Sequence, residues 1–100
     1  MAGVEQRWVM PKLNATEIKR ALKTVPAWKK QGAAISRTRE FKDFPVAIKF
    51  VNAVARLAER AWHHPDIDIR WNTVILTLTT HSEGGLSEKD FTLARQLDRL

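Results

Sequence analysis

Three histidines, His63, His64 and His81, are the residues of this 100-residue chain best suited to moving protons near neutral pH. Two of them are adjacent. Neighbouring side chains diverge by about 100° on a helix and point to opposite faces of a strand, so an adjacent pair serves one site only where the backbone is irregular. Pro65 supplies such a place, because the residue before a proline avoids the helical region and the apolar helical pattern upstream must stop there. A helix C-terminus also carries partial negative charge, which favours an imidazolium and suits a proton donor. His81 closes the most strand-like segment and precedes Gly84-Gly85, so it stands at a strand end, where rigid scaffolds often mount catalytic groups. Glu59, four residues before His63, and Asp66, just past the proline, are placed to orient an imidazole. Any one histidine is as well explained as a polar surface residue. The pair at a helix stop, with a third at a strand end, points toward general acid–base chemistry.

Competing chemistries fit less well. Three imidazoles and an open position would make a catalytic zinc centre, but ligands usually stand at i, i+2 on a strand or i, i+4 on a helix, and here two are adjacent. Metal chemistry therefore ranks well behind acid–base work. The absence of cysteine removes disulfides, thiolate catalysis and cysteine zinc sites together. Gly84-Gly85 matches no phosphate-cradling motif, Ser82 and Ser87 lack the G-x-S-x-G setting of a hydrolase nucleophile, and Ser87 reads as a helix cap. Trp8, Trp28, Trp62 and Trp71 are read mainly as core or interface residues, with Trp71 the candidate to stack on a flat heterocycle.

The elements that must hold these residues follow from periodicity and punctuation. Residues 1–12 carry no period and read as an extended or poorly ordered lead-in to one domain over 13–100. Asn14 and Glu17 have capping-box spacing ahead of Ile18, Ala21, Leu22 and Val25, a short helix ended by Pro26. A hairpin is predicted next, with Gln31-Gly32 as its turn and residues 34–41 as its second strand. Asp43 caps a long helix with Pro45 in its first turn, and its limit is Pro65. A second hairpin joins 67–71 to 74–80 through Asn72-Thr73. Ser87 and Asp90 cap a third helix, with Leu86 and Phe91 as its staple. The order α-β-β-α-β-β-α predicts an α+β domain, a four-stranded antiparallel sheet with three helices on one face.

Apolar residues make up 44% of the chain and no run approaches the length of a membrane span, so a soluble, cytoplasmic domain is expected. Residues 1–60 hold 13 Lys/Arg against 5 Asp/Glu, or +8, and residues 61–100 hold 4 against 6, or −2. The basic residues are scattered, without a like-charge run, so a nucleic-acid partner resting on strand arginines Arg37 and Arg39 ranks last.

Four motifs carry a resemblance: His63-His64-Pro65-Asp66, Trp71-Asn72-x-Val74, Leu78-x-Thr80-His81 and Gly85-Leu86-Ser87-x-x-Asp90. Trp28, Ile35-x-Arg37-x-x-x-Phe41-Lys42-Asp43-Phe44, Ala47, Phe50 and Ala58-Glu59 extend it upstream. From about Leu13 to Asp98 the chain resembles the pterin-4a-carbinolamine dehydratases. The resemblance implies the same fold, with loss of water from a 4a-hydroxytetrahydropterin left by an aromatic amino-acid hydroxylase to give the quinonoid dihydropterin, without a cofactor. It implies His63, His64 and His81 as catalytic. It places Glu59, Trp62, Pro65, Asp66, Trp71, Thr79, Thr80, Ser82 and Asp90 around the pterin. The residues leave open which histidine is acid and which base. Our assignment makes His63 the base near N5, His81 the acid at the hydroxyl and His64 a positioning group. The resemblance also implies a homodimer or homotetramer, and some animal relatives serve as dimerisation cofactors for a homeodomain transcription factor, the alternative role. The chain departs from the pattern at Trp62, where a small polar residue is usual, and at Arg39 and Ile67, where aromatics occur.

Overall fold

Caps decide where the helices begin. Asn14 Oδ1 accepts from the Glu17 N–H at 2.8 Å while Glu17 Oε1 accepts from the Asn14 N–H at 2.9 Å, and this box opens α1, Ala15–Leu22. Asp43 accepts from the Val46 N–H at 3.0 Å and opens α2, Phe44–Ala61. Ser87 and Asp90 open α3, Glu88–Leu97. A computed structural model describes residues 11–100. Most of the expected lead-in lies outside the described residues, but Lys12 bridges to Ser87 and the Leu13 N–H donates to Leu86 O at 2.8 Å.

Between the helices run β1 (Lys29–Gln31), β2 (Ala34–Glu40), β3 (Asp66–Arg70) and β4 (Thr73–Leu78), an antiparallel sheet in the order β1-β2-β4-β3. Both hairpin turns fall one residue from their expected places. Gln31 pairs with Ala34, which leaves Gly32-Ala33 as the loop, and Arg70 pairs with Thr73, which leaves Trp71-Asn72. A two-residue hairpin loop needs positive φ at its first position, and Gly32 supplies it at 60°. Trp71 adopts 53°, an uncommon conformation for so large a side chain. Asn72 compensates by tying the loop to the end of β2. Its side-chain amide donates to Phe41 O and its backbone carbonyl accepts from the Phe41 N–H, both at 2.8 Å.

The register puts Ile35 opposite Leu78, Arg37 opposite Leu76 and Arg39 opposite Val74, on the face that the helices cover. Ile35, Val74, Leu76 and Leu78 pack there with Ala47, Phe50 and Val54 of α2 and Phe91, Ala94 and Leu97 of α3. The strand arginines expected on the surface therefore turn inward. Arg37 pairs with Asp98, which also accepts from the Trp28 indole at 2.8 Å. The Arg39 guanidinium lies 4.7 Å from the Phe50 ring centroid and 5.2 Å from that of Phe41, and donates to Leu100 O. Burial, with Arg37 alongside, lowers the basicity of Arg39 from its ordinary value, against an opposing pull from Asp98. These contacts take up the two strand arginines, which with the +8 of residues 1–60 were the basis for a nucleic-acid role. Trp28 is in the core, whereas Trp62 and Trp71 are exposed. No helix among the described residues is long and apolar enough to cross a membrane.

The left-handed turn at Trp71 carries a cost of about 1–2 kcal/mol that asparagine largely avoids. Trp71→Asn is expected to raise stability by about 1 kcal/mol, read as a higher denaturant midpoint at unchanged slope. A lower midpoint would show that the indole makes contacts that outweigh its backbone strain.

Candidate active site

The site begins where α2 ends. Pro65 was expected to set that limit, yet the helix stops at Ala61, because Trp62 takes a left-handed conformation with φ 51° and ψ 42°. The Trp62 N–H donates to Glu59 O at 3.2 Å and the His63 N–H to Ala58 O at 3.1 Å, so the last carbonyls are closed in a Schellman arrangement. That position normally belongs to glycine or asparagine. Strain held in a non-glycine residue needs surroundings that fix it, and such residues cluster at functional sites.

The reversal at Trp62 sends the adjacent histidines to different partners. His63 Nε2 lies 2.6 Å from Asp90 Oδ1, with the imidazole 12% exposed and the carboxylate fully buried. His64 Nε2 lies 2.7 Å from Glu59 Oε1 in an open position, 54% exposed, with its ring edge-on to the Trp62 indole at 5.5 Å. Glu59 thus serves His64, not the His63 that the helical spacing suggested. The helix no longer exists at His63, and the i, i+4 relation lapses with it.

Asp90 is the junction of the site. Its Oδ2 accepts from the Thr80 hydroxyl at 2.8 Å and from the Ser87 N–H at 2.9 Å, and the Thr80 and Ser87 hydroxyls are 2.7 Å apart. As a carboxylate Asp90 can only accept, so Nε2 of His63 is the donor and Nδ1 is left for other work. Thr80 is buried, and its backbone pairs with Gly85 across the 3₁₀ turn His81–Glu83. His81 is exposed at the start of that turn, one residue from the hydroxyl that grips Asp90. The imidazole of His63 is therefore bonded to the buried carboxylate, and the backbone of His81 adjoins the threonine that the same carboxylate holds.

Of the expected pterin contacts, Asp90 and Thr80 are buried and bonded to one another, and Asp90 also meets His63. The Thr79 hydroxyl donates to Ala33 O at 2.6 Å and ties β4 to the first hairpin. Trp62, Asp66, Trp71 and Ser82 are exposed and Pro65 is half-buried. Among the described residues no three His, Asp or Glu side chains converge as metal ligands would. A cavity of about 230 Å³ opens beside His63, lined by Ala61, Lys89, Thr92, Leu93 and Gln96. The sequence reading missed Lys89, Thr92 and Gln96. Their i, i+3, i+7 spacing marks one helix face, but nothing local shows that α2 ends against it.

Replacing Asp90 tests this junction. Asp90→Ala leaves three donors without their acceptor and is expected to cost about 3–5 kcal/mol. Asp90→Asn keeps the shape and one oxygen for Thr80 and Ser87, at a cost of about 1–3 kcal/mol, and forces His63 to accept at Nε2. Nitrogen-15 NMR of the imidazole should show the proton moved to Nδ1, and an unchanged tautomer would contradict the assigned donor.

The family model described as pterin 4 alpha carbinolamine dehydratase matches residues 11–100. A protein of Nocardia farcinica, provisionally named pterin-4-alpha-carbinolamine dehydratase, is 54% identical over 88% of this chain and 93% of its own. One of Thermomicrobium roseum with the same provisional name is 52% identical over 91% of this chain and 98% of its own. Among solved structures, a transcriptional coactivator/pterin dehydratase from Brucella melitensis superposes with a TM-score of 0.84 at 38% identity, covering 88% of this chain and 96% of that one. A pterin dehydratase-like RuBisCO assembly factor of the alpha-carboxysome superposes with a TM-score of 0.62 at 25% identity, over 73% and 87%. A family match that spans every described residue, with relatives about half identical along nearly their full length, establishes that this chain belongs to the pterin-4a-carbinolamine dehydratase family.

Proposed function

We propose that this protein removes water from a 4a-hydroxytetrahydropterin by histidine acid–base catalysis. The observation that carries the reading is the His63–Asp90 dyad, an imidazole donating at 2.6 Å to a fully buried carboxylate. In the dehydration, the C4a hydroxyl gains a proton and leaves as water, N5 loses its proton, and the electron pair of the N5–H bond forms the C4a=N5 double bond. One proton is taken and one given, so no redox partner is needed. Nδ1 of His63 takes the N5 proton, and Asp90 behind it stabilises the imidazolium that forms and fixes the tautomer, the part a triad carboxylate plays. His81, on the exposed turn beyond Thr80, gives a proton to the departing hydroxyl. His64, paired with Glu59 and edged by Trp62, positions the ring. The substrate of this reaction is what an aromatic amino-acid hydroxylase leaves, so such a hydroxylase is the partner enzyme implied.

The named relatives include a coactivator and an assembly factor, so this fold also serves as a binding module. The dyad supports catalysis here, because beyond its structural bonds to Thr80 and Ser87 the buried carboxylate also meets an imidazole suited to proton transfer. Assembly into a homodimer or dimer of dimers belongs to the same proposal. β3 is an edge strand whose outer backbone groups seek partners, and Ile67 and Ile69 are exposed along it.

The purified protein is expected to accelerate dehydration of synthetic 4a-hydroxytetrahydropterin without added metal and in the presence of a chelator. His63→Ala and His81→Ala should each lower kcat by about 10²–10⁴ with the fold intact. Near-wild-type rates in both would refute the assigned roles. Light scattering at micromolar concentration should give a mass of two or four chains, and a stable 11.5 kDa monomer would refute the assembly.

A further inference from the structure

The sheet face opposite the helices holds a second cavity. Lys29 pairs with Ser36 and Gln31 with Ala34, so with Ile35 turned to the core, Lys29, Gln31, Ser36 and Thr38 all point to the other face. Together with Ala27 they line a space of about 230 Å³. Ser36 lies at its base, for although no helix covers this face the residue is only 7% exposed. A short side chain among longer neighbours leaves a pit. Among the described residues every fully enclosed side-chain nitrogen or oxygen has a hydrogen-bond partner, and no residue bonds to the Ser36 hydroxyl, so that hydroxyl opens on the pit. Holding it this deep without an internal partner costs hydration that a ligand restores.

The groups around Ser36 say what enters. Lys29 makes no ion pair among the described residues, whereas Lys30, on the opposite face of β1, donates to Gly32 O at 2.7 Å. No carboxylate lines the cavity. Glu40 stands one step further along this face of β2, and Asp66 lies beyond Thr77 of β4. An ammonium, two hydroxyls and a carboxamide thus surround one space, and all four can donate. A planar carboxylate has two oxygens to offer them, whereas a tetrahedral oxyanion directs oxygens toward several walls at once. We propose that this pit binds the phosphate group of a small molecule, with Lys29 supplying the charge and Ser36, Thr38 and Gln31 the further donors. β1 is the edge of the sheet away from β3, so pairing of subunits through β3 leaves the pit open. The site stands independently of the dehydratase reading.

The test is an NMR titration of the nitrogen-15-labelled protein with inorganic phosphate, at an ionic strength held constant with chloride. Amides of residues 27–38 should shift and saturate in the millimolar range. Lys29→Gln should weaken binding about tenfold and Ser36→Ala about three- to tenfold, with thermal melts establishing that both fold. Lys42→Gln, at an exposed lysine outside the cavity, should leave the affinity unchanged. Acetate should bind about tenfold more weakly than phosphate, and equal affinity would overturn the phosphate assignment. Glycerol 3-phosphate distinguishes the source. Tighter binding than inorganic phosphate marks a phosphate monoester, equal or weaker binding marks free phosphate, and either supports the pit. Shifts that never saturate, or a Lys29→Gln variant that behaves like Lys42→Gln, would show an adventitious ion only and overturn the inference.

Discussion

The Asp90 carboxylate is the interaction on which the site and its scaffold both depend. It is fully buried and accepts from three donors that arrive from three places: the N-cap of α3, the residue before the 3₁₀ turn, and the imidazole just past α2. A buried charge is tolerated only when its hydrogen-bonding capacity is met, and removing a single donor leaves the others holding an under-compensated ion. The same group therefore starts a helix, locks a strand end and orients a histidine. A change that loosens any one of these elements reaches the site through the other two.

Around that junction the backbone is bent where bending is least expected. Two exposed tryptophans, Trp62 at 75% and Trp71 at 68%, occupy left-handed positions that glycine or asparagine would fill at lower cost. At Trp62 the bend closes the carbonyl end of α2 and throws His63 inward and His64 outward. Adjacent residues thus acquire unlike surroundings, one imidazole shielded against a carboxylate and one open beside Glu59. The site obtains two chemically distinct histidines from a single dipeptide.

The sheet contributes rigidity through its covered face. Leu76 and Leu78 anchor β4 against the helices, which holds the following Thr79 and Thr80 in place, with Thr79 bonded across to Ala33. On β2 the same face carries Arg37 and Arg39, whose charges are absorbed by Asp98, the ring faces of Phe41 and Phe50, and the Leu100 carbonyl. Long basic side chains that cover apolar surface with their stems and deliver the charged head to a partner act here as part of the packing. Two of the thirteen basic residues among the first sixty are thus taken up by the fold itself.

By itself the sequence determined the element order, the sheet's antiparallel hairpins and the caps at Asn14, Asp43 and Ser87, and it marked the three histidines as candidates for proton transfer. Each of these is written in contacts within a few residues, such as an oxygen three positions from an amide or an apolar side chain recurring at helical spacing. The motifs around His63, Thr80 and Asp90 carried the family as well. What the tertiary structure decided is everything that depends on distant residues meeting or on a backbone choice against propensity. Turn chemistry placed one hairpin loop at Asn72-Thr73, but the register fixed by β4 pairing put it at Trp71-Asn72. Helical spacing offered Glu59 to His63, but the left-handed turn gave Glu59 to His64 and brought in Asp90 from 27 residues away. Asp90 is legible in the sequence as a cap. Its role as the buried partner of an imidazole was not, because burial is a property of the packed chain, and no local pattern states which carboxylate the core will enclose.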